Sequence, residues 1–104
     1  MDKLEFGYFY KQLVAGKWID ETQFYFADDP NETDRFLGYL PQYELPYWVG
    51  YCDIEDGIEF RTAEELVNAP IFNGQSLKER WDMVRIVSIE GIGLGDWITS
   101  VPHV

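Results

Sequence analysis

The run Tyr47-Trp48-Val49-Gly50-Tyr51-Cys52-Asp53-Ile54 constrains the fold more than any other part of the sequence. Ring and β-branched side chains fall on both of its alternating faces, the pattern of a strand placed centrally in a sheet. Glu55-Asp56-Gly57 follows, and Asp-Gly accepts the positive φ of a tight hairpin turn. The chain is thereby sent back through Ile58-Glu59-Phe60-Arg61, and an antiparallel sheet becomes the frame for everything else.

Other segments fill that frame. Residues 4–13 place Phe6, Tyr8 and Tyr10 on one face of an expected strand, with Phe9 and Leu13 on the other, before a turn at Ala15-Gly16-Lys17. Trp18 to Ala27 reads as a second extended run, paired with the first as a meander or hairpin. Asp28-Asp29-Pro30-Asn31 is turn chemistry, because Asp and Asn bond to nearby backbone and Pro fixes its own φ; a short helical turn is expected from Thr33 to Leu37. Pro41 and Pro46 bracket a loop.

Thr62-Ala63-Glu64-Glu65 matches a capping box, so a helix is expected to begin there and stop before Pro70. Ser76-Leu77-Lys78-Glu79 repeats the device, with Leu77, Trp81 and Val84 on one stripe of a second short helix. Val84 to Ile89 is a β-branched strand. Gly91-Ile92-Gly93-Leu94-Gly95 is too rich in glycine for regular structure, and Asp96 is placed to cap a last helical turn holding Trp97 and Ile98. The expected architecture is a single α+β domain over residues 1–104: a mostly antiparallel sheet of about four to six strands with two or three short helices. With 46% hydrophobic and 17% aromatic residues, a chain of 104 residues can bury one core built largely from rings.

Composition excludes several functions. The one histidine, His103, stands near the chain end, where ordering is usually weakest, so a Cys52/His103 nucleophile pair is not expected. On an aromatic strand, Cys52 reads as a small buried hydrophobe. One Cys and one His rule out a metal site built on those ligands, and the spacing of Asp53, Glu55, Asp56 and Gly57 does not fit a calcium loop; no metal or cofactor is expected. The Gly91 to Gly95 run lacks the spacing and the following Lys-Ser/Thr of a phosphate loop. The enzyme reading that remains would use Asp53 or Glu55 with Tyr51 in a cleft, and the balance of residues favours a non-enzymatic chain. No stretch approaches the roughly 20 apolar residues of a membrane span, and no signal peptide is evident, so a cytoplasmic protein with no membrane association is expected.

What remains is charge. Thirteen of the nineteen acids lie between Asp20 and Glu65, where the only bases are Arg35 and Arg61, so this segment carries the whole net charge of −11. Such a field repels nucleic acid and anionic lipid and steers a basic protein surface toward the chain. The expected partner-binding residues are Asp28, Asp29, Glu32, Asp34, Asp53, Glu55, Asp56 and Glu59. Duplex DNA carries about one negative charge per 1.7 Å of axis, and carboxylates copying that density can occupy the basic cleft of a DNA-binding enzyme. The alternative is an accessory interaction domain binding through an exposed aromatic patch around Trp48, Trp81, Trp97 and the Gly91 to Gly95 segment, as a monomer or homodimer.

A family likeness points the same way. Tyr10, the run Ala15-Gly16-Lys17-Trp18-Ile19-Asp20, then Tyr51-Cys52-Asp53-Ile54-Glu55-Asp56 and Phe60-Arg61-Thr62-Ala63-Glu64-Glu65-Leu66 resemble the N-terminal domain of ArdA-type antirestriction proteins over residues 8–66. The resemblance implies an acidic DNA mimic, encoded by a mobile element, that blocks restriction enzymes. The segment from Pro70 to Trp97 has no counterpart in that family. More broadly, the chain is similar to small uncharacterised acidic proteins of Gram-positive phages and conjugative elements.

Overall fold

Six strands form one antiparallel sheet in the order β4-β3-β2-β1-β5-β6, with three helices completing an α+β fold. The computed structural model describes residues 4–51 and 54–103. The strands are β1 (Thr22–Phe26), β2 (Arg35–Tyr39), β3 (Tyr47–Tyr51), β4 (Ile54–Phe60), β5 (Val84–Ile89) and β6 (Ile92–Gly93). The helices are α1 (Phe6–Ala15), α2 (Ala63–Asn68) and α3 (Leu94–Ser100). The first four strands run as a meander, and β5 then returns to the free side of β1.

Register sorts the side chains into two faces. Thr22, Phe24 and Phe26 on β1 stand beside Leu37 on β2, Tyr47 and Val49 on β3, and Val84 on β5, and all are buried. Onto this face α1 sets Phe9 and Leu13, α2 sets Leu66 and Val67, and the segment between α2 and β5 sets Phe72, Leu77 and Trp81. Rings meet edge to face in and beside the core, Phe26 on Phe72 at 5.2 Å and the partly buried Phe6 on Trp81 at 5.4 Å. Each buried indole also finds an acceptor: Trp81 Nε1 donates to the Leu4 carbonyl at 2.9 Å, and Trp97 Nε1 to that of Trp18 at 2.8 Å. The opposite face carries Gln23, Tyr25, Phe36, Trp48, Glu59 and Ser88, none of them buried. Extents of 35 × 34 × 21 Å fit one sheet with a single helical layer.

Several expectations are corrected. Residues 6–15 are helical, not extended: Phe6, Phe9, Tyr10 and Leu13 also satisfy spacings of three and four, and this face packs on the sheet. Gly16 ends α1 with φ 66°, its N–H reaching the carbonyls of Gln12 and Leu13. The expected helical turn at Thr33 to Leu37 is strand from Arg35 onward, because Leu37 is needed opposite Thr22 in the core. The strand Tyr47 to Tyr51 is next to the edge; β1 and β2 hold the centre. Tyr51 pairs with Ile54, so Gly57 is not a hairpin apex but lies inside β4, with φ 69° where the register against β3 shifts.

Further along, Thr62 forms its capping box and α2 ends before Pro70. Ser76 and Glu79 exchange the same pair of bonds, yet only one turn follows before a 3-10 turn at Trp81–Met83. The glycine-rich run is regular in part: Ile92 and Gly93 pair with β5, and α3 starts at Leu94 with Gly93 as its N-cap and Asp96 in its first turn.

Candidate functional site: the acidic end of the sheet

The meander decides where the carboxylates go. β1 ends at Phe26 and β2 begins at Arg35, so the loop between them stands at one end of the sheet. Because β3 runs antiparallel to β2 and Tyr51 pairs with Ile54, the start of β4 stands at the same end. Asp28, Asp29, Glu32 and Asp34 are thereby brought beside Glu55 and Asp56. Strands about 4.8 Å apart put the middle of the β1–β2 pair roughly 10 Å from the middle of the β3–β4 pair. Glu59 is exposed on the open face opposite Trp48, away from this end. Asp53 lies outside the described residues.

The loop is built by its own side chains. Asp29 Oδ1 accepts the Asn31 N–H at 2.9 Å, and Oδ2 accepts the Thr33 N–H at 3.0 Å. These backbone hydrogen bonds hold the Asp29 carboxyl below its ordinary value of 3.8, so the charge is retained while its lone pairs organise the loop. Asp28 pairs with the Arg80 guanidinium, which in turn stacks on the Phe26 ring at 4.1 Å. Glu32, with φ 47°, is exposed at the tip. Asp29 therefore shapes the loop, Asp28 is partly balanced, and Glu32 points its charge outward.

One acid of this end escaped the sequence reading. Asp82 joins this end because β5 begins there, alongside Phe26; only the β1–β5 pairing reveals it. The remaining mid-chain acids are elsewhere. Asp20 Oδ1 accepts the Tyr39 N–H at 2.9 Å and Trp48 Nε1 at 3.0 Å. Glu44 faces Arg61 at 3.7 Å, and Glu65 closes the capping box of α2. The excess charge thus divides between the two ends of the sheet. At the end described here, Asp28, Asp29, Glu32, Asp34 and Asp82 share the surroundings of Arg35, Arg80 and Arg85, with Asp28 paired to Arg80.

Two described clefts lie apart from these acids. Neighbours of about 330 and 320 Å³, they run between α1 and α2; Tyr10 and Glu64 line both, with Arg61 at one and Lys78 at the other. Among the described residues no group of three or more His, Cys, Asp or Glu side chains is placed to hold a metal ion. His103 packs back on the fold: Tyr8 Oη bonds its Nδ1, Nε2 lies 3.0 Å from the Trp97 carbonyl, and its ring lies on the Trp97 indole. Cys52 lies outside the described residues. Trp81 and Trp97 are core residues, whereas Trp18 and Tyr43 are exposed. Among the described residues no helix is long and apolar enough to cross a membrane.

Comparison of the chain with protein-family models, with curated proteins and with solved structures returns no match.

Proposed function

We propose that this chain is a non-enzymatic, acidic protein-binding module that docks a basic partner on the end of its sheet. The observation that carries the reading is topological: the β1–β2 loop and the start of β4, separated by some twenty residues of sequence, share one end of the sheet. A charge field set on the β1–β2 loop and the start of β4 attracts a cationic surface, with association accelerated by the field and slowed by salt. The DNA-binding cleft of a DNA-handling enzyme is the surface that best matches closely spaced negative charges, in keeping with the resemblance to antirestriction proteins. The reading through an aromatic patch has less support, because two of its three tryptophans are buried.

Competition with duplex DNA for a restriction endonuclease tests the proposal. At low salt the chain is expected to inhibit DNA binding, and a variant carrying Glu32→Lys, Glu55→Lys and Asp56→Lys is expected to lose that inhibition. Asp29 is spared because its carboxylate closes the loop. Inhibition that survives the reversal, or is insensitive to salt, overturns the reading.

A further inference from the structure

The sheet has two edges of different character. β6 is two residues long and passes directly into α3 at Leu94, so that edge offers little to pair with. β4 is the terminal strand on the other side and, with seven residues, the longest in the sheet. Its inner side is occupied by β3; among the described residues its outer side has no neighbouring strand. A terminal strand presents unpaired backbone N–H and C=O groups, and extended peptides use such edges by adding a strand.

Sequence says which peptide. β4 reads Ile54-Glu55-Asp56-Gly57-Ile58-Glu59-Phe60, three acids and no base. Pairing two copies of this edge would set the acids of one against those of the other, which disfavours a second copy as occupant. A segment with Lys or Arg on alternate residues would instead meet opposite charge. Glu59, exposed on the open face, is positioned to pair with such a residue. The Gly57 bulge, with φ 69°, limits regular addition to the stretch on either side of it.

We infer that β4 receives an extended, cationic segment of the partner as a seventh strand. The inference rests on the acidic-module reading and specifies its geometry: the acidic end of the sheet steers, and the edge binds. A testing probe is an octapeptide of alternating Lys and Val, compared with two versions N-methylated on alternate residues in opposite registers. All three carry the same charge, but each N-methylated form loses the N–H groups along one edge. Amide chemical shifts of the intact chain locate the contact.

Expected are shifts along Ile54–Phe60 and a loss of about tenfold in affinity for one N-methylated register, equivalent to one or two backbone hydrogen bonds. Glu59→Lys should weaken all three peptides together. Equal affinities for all three, with shifts confined to Asp28–Asp34, overturn strand addition while leaving the acidic reading intact. No binding of any peptide at low salt overturns both.

Discussion

Asp29 and Asp20 are both carboxylates that accept two N–H donors, and only the first could be read from sequence. The partners of Asp29 are Asn31 and Thr33, two and four residues away, so local turn chemistry announces them. Those of Asp20 are Tyr39 and Trp48, brought in by strand pairing, and Gly38 has to be glycine because an added Cβ would stand 2.0 Å from Asp20 Oδ1. Asp29 also has a pH signature. Its folded value lies below the ordinary 3.8, so the ionised form stabilises the fold; that contribution is complete above the ordinary value and is lost as pH falls through the folded one. Asp29→Asn is expected to be less stable at neutral pH and to lose less further stability below the ordinary value of Asp29. Urea unfolding followed against pH checks this, and parallel acid limbs would count against it.

The elements that sequence described correctly are those whose signals lie within a few residues. The α2 capping box is one: Thr62 Oγ1 accepts the Glu65 N–H at 3.1 Å, and Glu65 Oε1 accepts the Thr62 N–H at the same distance. Thr62→Ala is expected to cost about 1 kcal/mol, read as a lower urea midpoint with an unchanged slope, while Thr62→Ser retains most of the stability. At Ser76 the same bonds form without a full helix, because the chain must turn at Trp81–Met83 to enter β5. The helix α1 was hidden by its rings. Phe6, Tyr8 and Tyr10 alternate like a strand, and the choice of period was made by Phe9 and Leu13 needing the core together.

At the scale of the molecule, the mixed class was legible because element signals are local, whereas strand order was not. Nothing near Thr22 foretells that it will lie between Leu37 and Ile89. The candidate site shares this division. Which residues are acidic is plain from the sequence; which of them stand together follows from the meander and, for Asp82, from the pairing of β5 with β1. A net charge of −11 with few opposing bases makes self-repulsion the leading electrostatic term. Raising NaCl from about 0.02 M to about 0.5 M is therefore expected to raise the melting temperature, since carboxylates at either end are screened from each other. A fall would mean that ion pairs such as Asp28 with Arg80 outweigh the repulsion.

The β1–β5 ladder joins Phe26 to Val84 and Thr22 to Ile89, in the middle of a sheet whose other principal pairings link neighbours in sequence. Four strands can zip up one hairpin at a time, each closing a short loop, but the fifth has to find its place across nearly sixty intervening residues. The seam is thus late to form and its loss exposes one of the two central strands. Any partner that clasps both sides of it would act as a brake on unfolding.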